Sequence, residues 1–418
     1  MIKINDIKKA KANFWKIVKE TPLQYSERLS KEYWANIYLK REDLQIVRSY
    51  KIRWAYNLIN SLSDKEKANW VVCASAGNHA QWVAITCSHL KVKWTIYMPV
   101  TTPEQKVYKT KKFGWKYVDV VLIWDTFDEA LAWAKHFEKE NNASFVHPFD
   151  DDRIITGQAT IWLEVFSQIW TRNEDKIDYI ICPIWWGWLI SWIINLKNEV
   201  STKTKIIWVE PEWAPAMKHS LEVWENRSLH KIDTFVDWAA VKKVWDNTFN
   251  YVQNEKIEVY TCHENSICST IQEYLREDWI VVEPAWALST DVLKNKEVQE
   301  QIKWKTVVLI VSWSNFDFER LPEVKERALK YEWLKRYILV SFPQRPWALK
   351  EFLNFFSDND DITRFEYLKK SNKDKAPALV WIQSNDSKNF DILFEKIKKA
   401  WIHFEDITNN DMYFDLLI

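Results

Sequence analysis

Along roughly three quarters of the chain, short apolar runs rich in valine and isoleucine alternate with stretches of helical period, the order that builds an open α/β sheet. The runs are 71–74 (VVCA), 95–100 (TIYMPV), 118–123 (VDVVLI), 179–184 (YIICPI), 206–209 (IIWV) and 306–311 (TVVLIV). Several runs end in a loop that opens a helix, and such folds hold their ligands at the carboxyl ends of the strands. Between the second and third runs, Thr102, Pro103 and Gln105 predict a helix start, with Thr102 as cap, Pro103 in the first helical position and Gln105 completing a capping box.

The pattern changes after the charged segment 318–335, FERLPEVKERALKYEWLK. Strands are predicted at 337–342, 363–368, 378–382 and 413–418, with helices at 347–356 and 390–399. That order is a split βαβ of ferredoxin-like type. The expected division is a larger domain over 1–325, with a smaller subdomain at about 52–150 inside it, a linker over 326–335 and a C-terminal domain over 336–418. The last domain carries no constellation of reactive side chains, so binding or regulation is its expected task.

Charge and cysteine content narrow the class. The 418 residues carry 58 basic and 58 acidic side chains with no concentrated basic stripe, which excludes the electrostatic footprint of nucleic-acid binding. Cys73, Cys87, Cys182, Cys262 and Cys268 are odd in number and show no repeated CxxC spacing, so neither a disulfide framework nor structural zinc is expected. Cys262, His263 and Cys268 are too few for a structural metal site, and packing is the preferred reading. The charged N-terminus, MIKINDIKKAKANFWK, lacks the apolar core of a signal peptide, and the most apolar stretch, 179–194, is shorter than the roughly 20 residues of a spanning helix. A cytoplasmic protein with no membrane partner is expected.

Composition holds the anomaly. There are 28 tryptophans and 4 glycines, where an ordinary share of about 7% predicts roughly 29 glycines. Many tryptophans stand in loops at strand ends, and they follow loop and motif positions instead of one face of a helix or strand. They read as substituted glycines.

Three segments carry candidate chemistry. Lys51 lies among hydroxyl and charged residues just ahead of a helical run; taken alone, the segment reads as a solvated basic stretch. Ser75, Ala76, Gly77 and Asn78 follow the run 71–74 and open a helix, which places backbone N–H groups and an amide toward an anion or a ring oxygen. Trp185, Trp186, Gly187, Trp188 and Leu189 follow the run 179–184, and with glycines for the three tryptophans this loop is a cradle of backbone amides for phosphate.

With these segments in view, the chain resembles the pyridoxal-phosphate enzymes of the tryptophan-synthase-like type (fold type II, two open α/β sheets), and within them the biosynthetic threonine ammonia-lyase family. The resemblance is carried by YLKREDLQIVRSYKIR, CASAGNHAQ, MPVTTPEQK, GQAT, the loop after Pro183, VEPAWALS and VSWSN. The C-terminal FPQRPWAL resembles the start of that family's ACT-like regulatory domain. The resemblance implies pyridoxal 5'-phosphate as cofactor, held covalently by Lys51, which then removes the α-proton of the bound amino acid. It implies that Asn78 meets the phenolic oxygen of the cofactor ring, that residues 185–189 embrace its phosphate, and that Ser312 meets the pyridine nitrogen. Ser75, Ala76, Gly77 and Glu283 would line the substrate pocket, with Glu283 equally readable as a structural carboxylate. The reaction implied is threonine to 2-oxobutanoate plus ammonia, feeding isoleucine biosynthesis, with isoleucine or valine as effector of the C-terminal domain and a homo-oligomeric assembly.

Two rival readings accompany this one. Serine or threonine racemases of the same fold place a serine before the Gly-Asn pair as a second base, where this chain has Ala76. Related enzymes bind a divalent cation through a motif like 210–216 that ends in an acidic residue, where this chain has Ala216, so no metal is expected. The second rival is a non-catalytic chain, either a misfolded variant or an amino-acid-binding module through 336–418. It rests on Trp54, Trp82, Trp185, Trp186, Trp188, Trp192, Trp208, Trp238, Trp286, Trp313 and Trp347, which stand where the family has glycine. Overpacking costs about 1–3 kcal/mol per site against a reserve of about 5–15 kcal/mol, so the chain as written is expected to fold poorly and not to bind cofactor productively.

Overall fold

The computed structural model describes the chain apart from residues 1–2, 15–16, 69–70, 76, 146–151, 172–175, 184–202, 238, 256, 312–315, 368–372, 411 and 415–418, and gives backbone alone at residues 78, 127, 128, 144, 152, 247 and 251. It divides into two compact units, one of residues 1–262 and 280–316, the other of 263–279 and 317–418.

The first unit holds two sheets. In the smaller, β3 (Val71–Ala74), β4 (Trp94–Met98), β5 (Val118–Leu122) and β6 (Ser144–Phe145) run parallel in the order β5-β4-β3-β6. In the larger, β1 (Leu23–Tyr25), β2 (Asn36–Arg41), β7 (Tyr179–Pro183), β8 (Lys205–Pro211), β9 (Glu258–Cys262) and β10 (Thr306–Val311) lie in the order β1-β2-β10-β7-β8-β9. Only β1 pairs antiparallel in that sheet. Every residue of β3, β4, β7 and β10 is buried, which is why these strands read as unbroken apolar runs. The two-sheet α/β fold expected from the sequence is the one observed.

The strands that sequence reading missed are instructive. β2 carries Lys40 and Arg41, whose charges break its apolar pattern, yet Lys40 is fully buried. The helix after β4 runs Glu104–Gly114, with Pro103 in the N-cap position and no side-chain cap. Its start is thus one residue later than expected, and the capping box placed there is absent. A real capping box forms instead between Thr126 and Glu129, at the head of helix Phe127–Asn141.

In the second unit, β11 (Lys335–Pro343), β12 (Asp360–Tyr367), β13 (Lys375–Ser384) and β14 (Phe404–Asp406) form one antiparallel sheet in the order β12-β13-β11-β14. Helices Ala348–Leu353 and Lys388–Lys399 complete the ferredoxin-like order of strands and helices. Phe342, Phe352, Val380, Ile382, Leu393 and Ile397 sit in the core beneath the sheet. The fourth strand is not where it was expected. Residues 412–414 are helical and 415–418 lie outside the described residues, while Phe404–Asp406 pairs with β11. Helix Leu321–Tyr331 covers the start of the segment read as a linker, and β11 begins at Lys335.

Candidate active site

Parallel pairing brings the ends of β2, β10 and β7 to one edge of the larger sheet. Val311 is opposite Arg41, and Leu309 is opposite Ile181, two residues before the end of β7 at Pro183. The segments leaving that edge at 184 and 312 contain Trp185, Trp186, Gly187, Trp188, Leu189 and Ser312, which lie outside the described residues. Ala76 and the Asn78 side chain lie outside them as well.

Lys51 enters the same neighbourhood from the N-cap position of helix Ile52–Ser61. Its backbone N–H donates to the hydroxyl of the buried Ser49 at 3.3 Å. The side chain is buried, and desolvation pushes its ammonium well below the ordinary lysine range, with the negative charge of Glu283 opposing the shift. Burial therefore favours the neutral amine at Lys51, the form that forms bonds to carbon and accepts protons.

What holds Lys51 there is a buried ionic network that the sequence did not disclose. Arg53, two residues further along the helix, donates to Glu42 from Nη2 at 2.7 Å and Nε at 2.9 Å. It also donates to Glu164 from Nη1 at 2.6 Å and Nη2 at 2.8 Å. Lys40 Nζ donates to Glu164 at 2.7 Å and to the Thr21 carbonyl at 2.6 Å. Two cations thus face two carboxylates, all buried, and the segment read as a solvated basic stretch is a balanced charge cluster. It ties the helix carrying Lys51 to helix Asp152–Trp170 and to the end of β2.

The turn after β3 is built by Ser75. Its backbone N–H donates to Tyr97, and its Oγ accepts from the backbone N–H groups of Gly77 and Ala80, both at 3.2 Å. Gly77, Ser75 and His79 are buried. Burial, with a smaller contribution from the ammonium form of Lys51, pushes the His79 imidazole down to about 3, so it is neutral at ordinary pH. Glu283 is buried and occupies the N-cap position of helix Pro284–Asp291. The structure thus gathers Lys51, the Ser75 turn, His79 and Glu283 into one region.

Tryptophan fills that region. The Trp82 ring centroid lies 5.0 Å from Lys51 Nζ. His79 packs against Trp54 at 5.1 Å and against Trp82 at 6.2 Å, and Trp286 packs on Tyr50 at 5.9 Å. Trp54, Trp82 and Trp286 are all buried.

Among the described residues, no group of three His, Cys, Asp or Glu is placed to hold a metal ion. Glu210, at the head of the segment 210–216, accepts the backbone N–H groups of Met217 and Lys218 at 2.8 and 2.9 Å. Burial raises its carboxyl to about 7. The five cysteines are buried free thiols, and no described helix is long and apolar enough to cross a membrane.

Residues 15–312 match the family model for pyridoxal-phosphate dependent enzymes, and residues 326–417 match the C-terminal regulatory domain of threonine dehydratase. The chain is 44% identical over its whole length to the biosynthetic L-threonine dehydratase IlvA of Halalkalibacterium halodurans, covering 99% of that protein. It is 42% identical to that of Bacillus subtilis, covering 98% of it. Among solved structures it is similar to the processed form of threonine deaminase isoform 2 from Solanum lycopersicum, with a TM-score of 0.69, 33% identity and coverage of 78% of this chain and 89% of that one. A maize serine racemase shares the fold at a TM-score of 0.68 and 24% identity, over 78% of this chain and 98% of that one.

The donor set suits pyridoxal phosphate, since a buried lysine shares a region with the serine-built turn after β3 and with His79. The volume does not. An indole stands over Lys51 Nζ where a flat cofactor ring needs clear space, and two more line the same region. As written, the residues present do not fit the group.

Proposed function

Since the chain belongs to the pyridoxal-phosphate dependent enzymes and carries the regulatory domain of threonine dehydratase, we propose that it is a biosynthetic L-threonine dehydratase. The reaction converts L-threonine to 2-oxobutanoate and ammonia, a supply step for isoleucine. The family's cofactor provides the sink for the electrons left when the α-proton departs. The indoles crowd its place beside Lys51.

Roles are proposed for the chain's own atoms. Lys51 Nζ, its ammonium form disfavoured by burial, takes the proton from the substrate's α-carbon. The turn 75–77 receives the substrate carboxylate, and Glu283 sets the charge around Lys51. Asn78, residues 185–189 and Ser312 are the proposed contacts to the cofactor's ring oxygen, phosphate and ring nitrogen. We further propose isoleucine or valine as the ligand of the C-terminal domain, a homo-oligomeric assembly and a cytoplasmic location. The observation that carries the reading is Lys51: a buried lysine at the head of a helix, its ammonium pushed well down by burial with the Glu283 charge opposing.

The test is keto-acid formation from L-threonine by the purified chain with pyridoxal phosphate, with Lys51→Ala as control. To separate a blocked pocket from a wrong reading, the assay is repeated with Trp82, Trp185, Trp186 and Trp188 changed to Gly. Turnover in either form that is lost with Lys51→Ala supports the dehydratase. A soluble, cofactor-loaded chain that yields D-allothreonine, the product of inversion at the α-carbon alone, in place of keto acid, or neither product, overturns it.

A further inference from the structure

Twelve described residues other than glycine have positive φ, and nine of them are tryptophan: Trp34, Trp115, Trp124, Trp224, Trp279, Trp304, Trp333, Trp347 and Trp401, with φ between 48° and 69°. Tryptophan has no physical claim on this region, where a Cβ crowds the backbone and where glycine is the default residue.

The hydrogen bonds show what each site asks for. Trp401 follows helix Lys388–Lys399 and its cap Ala400; its N–H bonds the Lys398 carbonyl, and that of Ile402 reaches back to Ile397. Trp333 and Trp224 repeat this pattern, through Lys330 with Leu329 and through Leu221 with Ser220. This is the Schellman closure, whose left-handed residue is most often glycine. Trp304, at φ 60°, follows Lys303 at φ −54°, ψ 127°, a type II turn that wants glycine in its third position. Trp115, at φ 48°, ψ −128°, sits in the mirror-image extended region that glycine alone enters freely.

Burial does not account for the indoles, since all nine are exposed, from 48% for Trp333 to 91% for Trp401, and their contacts are surface ones such as Trp34 on Trp304 and Arg336 over Trp333. Buried tryptophans tell the same story by a different route. Trp208 lies in the middle of β8, fully buried, and its indole N–H has no hydrogen-bond partner among the described residues. At Trp54 the backbone is so close to helix Asp152–Trp170 that a Cβ added to Gly157 would lie 2.8 Å from its Cα, a crossing that small residues on both sides allow.

Turns, a central strand, a helix crossing and the surroundings of Lys51 share no environment that selects tryptophan. They share the need for glycine. A single cause that joins the smallest residue to the largest lies in the codon table, where UGA neighbours the tryptophan codon UGG and the glycine codon GGA. We infer that the polypeptide made in its own cells carries glycine at these positions, UGA being decoded there as glycine, and that tryptophan is what another decoding of that codon writes. Gly77, Gly114, Gly157 and Gly187 are then the glycines specified by GGN codons. With the same decoding at 82, 185, 186 and 188, the face of Lys51 clears and the loop after β7 becomes a run of four glycines. The inference stands on backbone geometry and not on the dehydratase reading.

The test is peptide mass mapping of the chain purified from its native cells, with sequencing of its gene. Glycine is expected at 224, 304, 333 and 401, each peptide lighter by the C9H7N that separates tryptophan from glycine, and UGA at each of those codons. Tryptophan in these peptides, or UGG in the gene, overturns the inference. An independent arm expresses the chain from UGG codons in a standard host beside the variant with all nine positions changed to Gly. The melting temperature of the glycine form rises if the inference holds; an equal or lower value shows that tryptophan suits these turns and counts against it. None of these readouts depends on enzyme activity.

Discussion

Trp401→Gly isolates the backbone effect better than any other single change in the chain. The residue closes helix Lys388–Lys399 at φ 60°, and its side chain is 91% exposed. Left-handed backbone costs a residue with a Cβ about 1–2 kcal/mol. Glycine returns about 0.4–1 kcal/mol of that through the greater freedom of its unfolded chain. Little buried area is lost, so the net gain is about 0.5–1 kcal/mol. Trp224→Gly, at a similar closure, is expected to gain as much. Trp333→Gly is expected to gain close to nothing, because the Arg336 guanidinium lies 4.2 Å above the Trp333 ring and such exposed cation–π contacts contribute about 0.5–1 kcal/mol. Asn142→Gly, at φ 48°, is the control, since asparagine tolerates this region. The assay is urea unfolding followed by far-UV circular dichroism, where the two larger gains shift the midpoint on the order of 0.3 M. If Trp401→Gly and Trp224→Gly leave the midpoint unmoved or lower it, the argument from left-handed strain is wrong.

The remaining predictions concern the site and its support. His79, with its folded value near 3 against an ordinary 6.5, destabilises the fold as pH falls: above pH 6.5 it is neutral in both states, between 6.5 and 3 only the unfolded chain takes the proton, and below 3 the loss is complete. The loss is about 4–5 kcal/mol; His79→Leu should flatten stability across this window relative to the parent, and an unchanged difference between pH 7 and pH 4 would refute the assignment. Arg53→Leu strands Glu42 and Glu164 and should destabilise by about 3–5 kcal/mol, with Glu42→Gln in the same chain restoring part of it; denaturation of the three variants checks the order. Trp82→Gly combined with glycine at 185, 186 and 188 should produce a visible absorbance band with pyridoxal phosphate that is stronger than the parent's and absent in Lys51→Ala. A band that persists without Lys51 would remove that lysine from the cofactor site.

What the sequence made legible follows the range of the interactions involved. β3, β7 and β10 are buried on both faces, and their local composition suffices to find them. β2 escaped because Lys40 and Arg41 look solvent-facing until Glu164, 124 residues away, is brought within 2.7 Å of Lys40. The C-terminal strand was misplaced for a related reason. Tyr413 and Phe414 are apolar because they pack against the outer side of the sheet with Tyr337 and Trp381, not because they form an edge strand. Lys51 and the turn at Ser75 were legible as motif, while the roles of Arg53 and His79 required the fold. The capping signal at Thr102 failed because Pro103, with φ −51° and ψ 132°, stays extended and hands the helix start to Glu104.

Lys40 and Lys51, both buried and eleven residues apart, show how one chain separates a structural lysine from a reactive one. Burial lowers both. At Lys40 the loss is opposed by Glu164 at hydrogen-bonding distance, with Glu42 at 4.0 Å adding its charge. Those two carboxylates are also engaged by Arg53, so the network closes on itself. At Lys51 the negative charge of Glu283 opposes the effect of burial, and the ammonium is pushed further down than at Lys40. Moving a carboxylate next to Lys51 should restore the ammonium and silence it as a base, whereas neutralising Glu283 should lower its titration further; the pH dependence of Lys51 alkylation by a small electrophile separates the two, and coincident profiles for parent and Glu283→Gln would show that Glu283 has no part in setting the lysine.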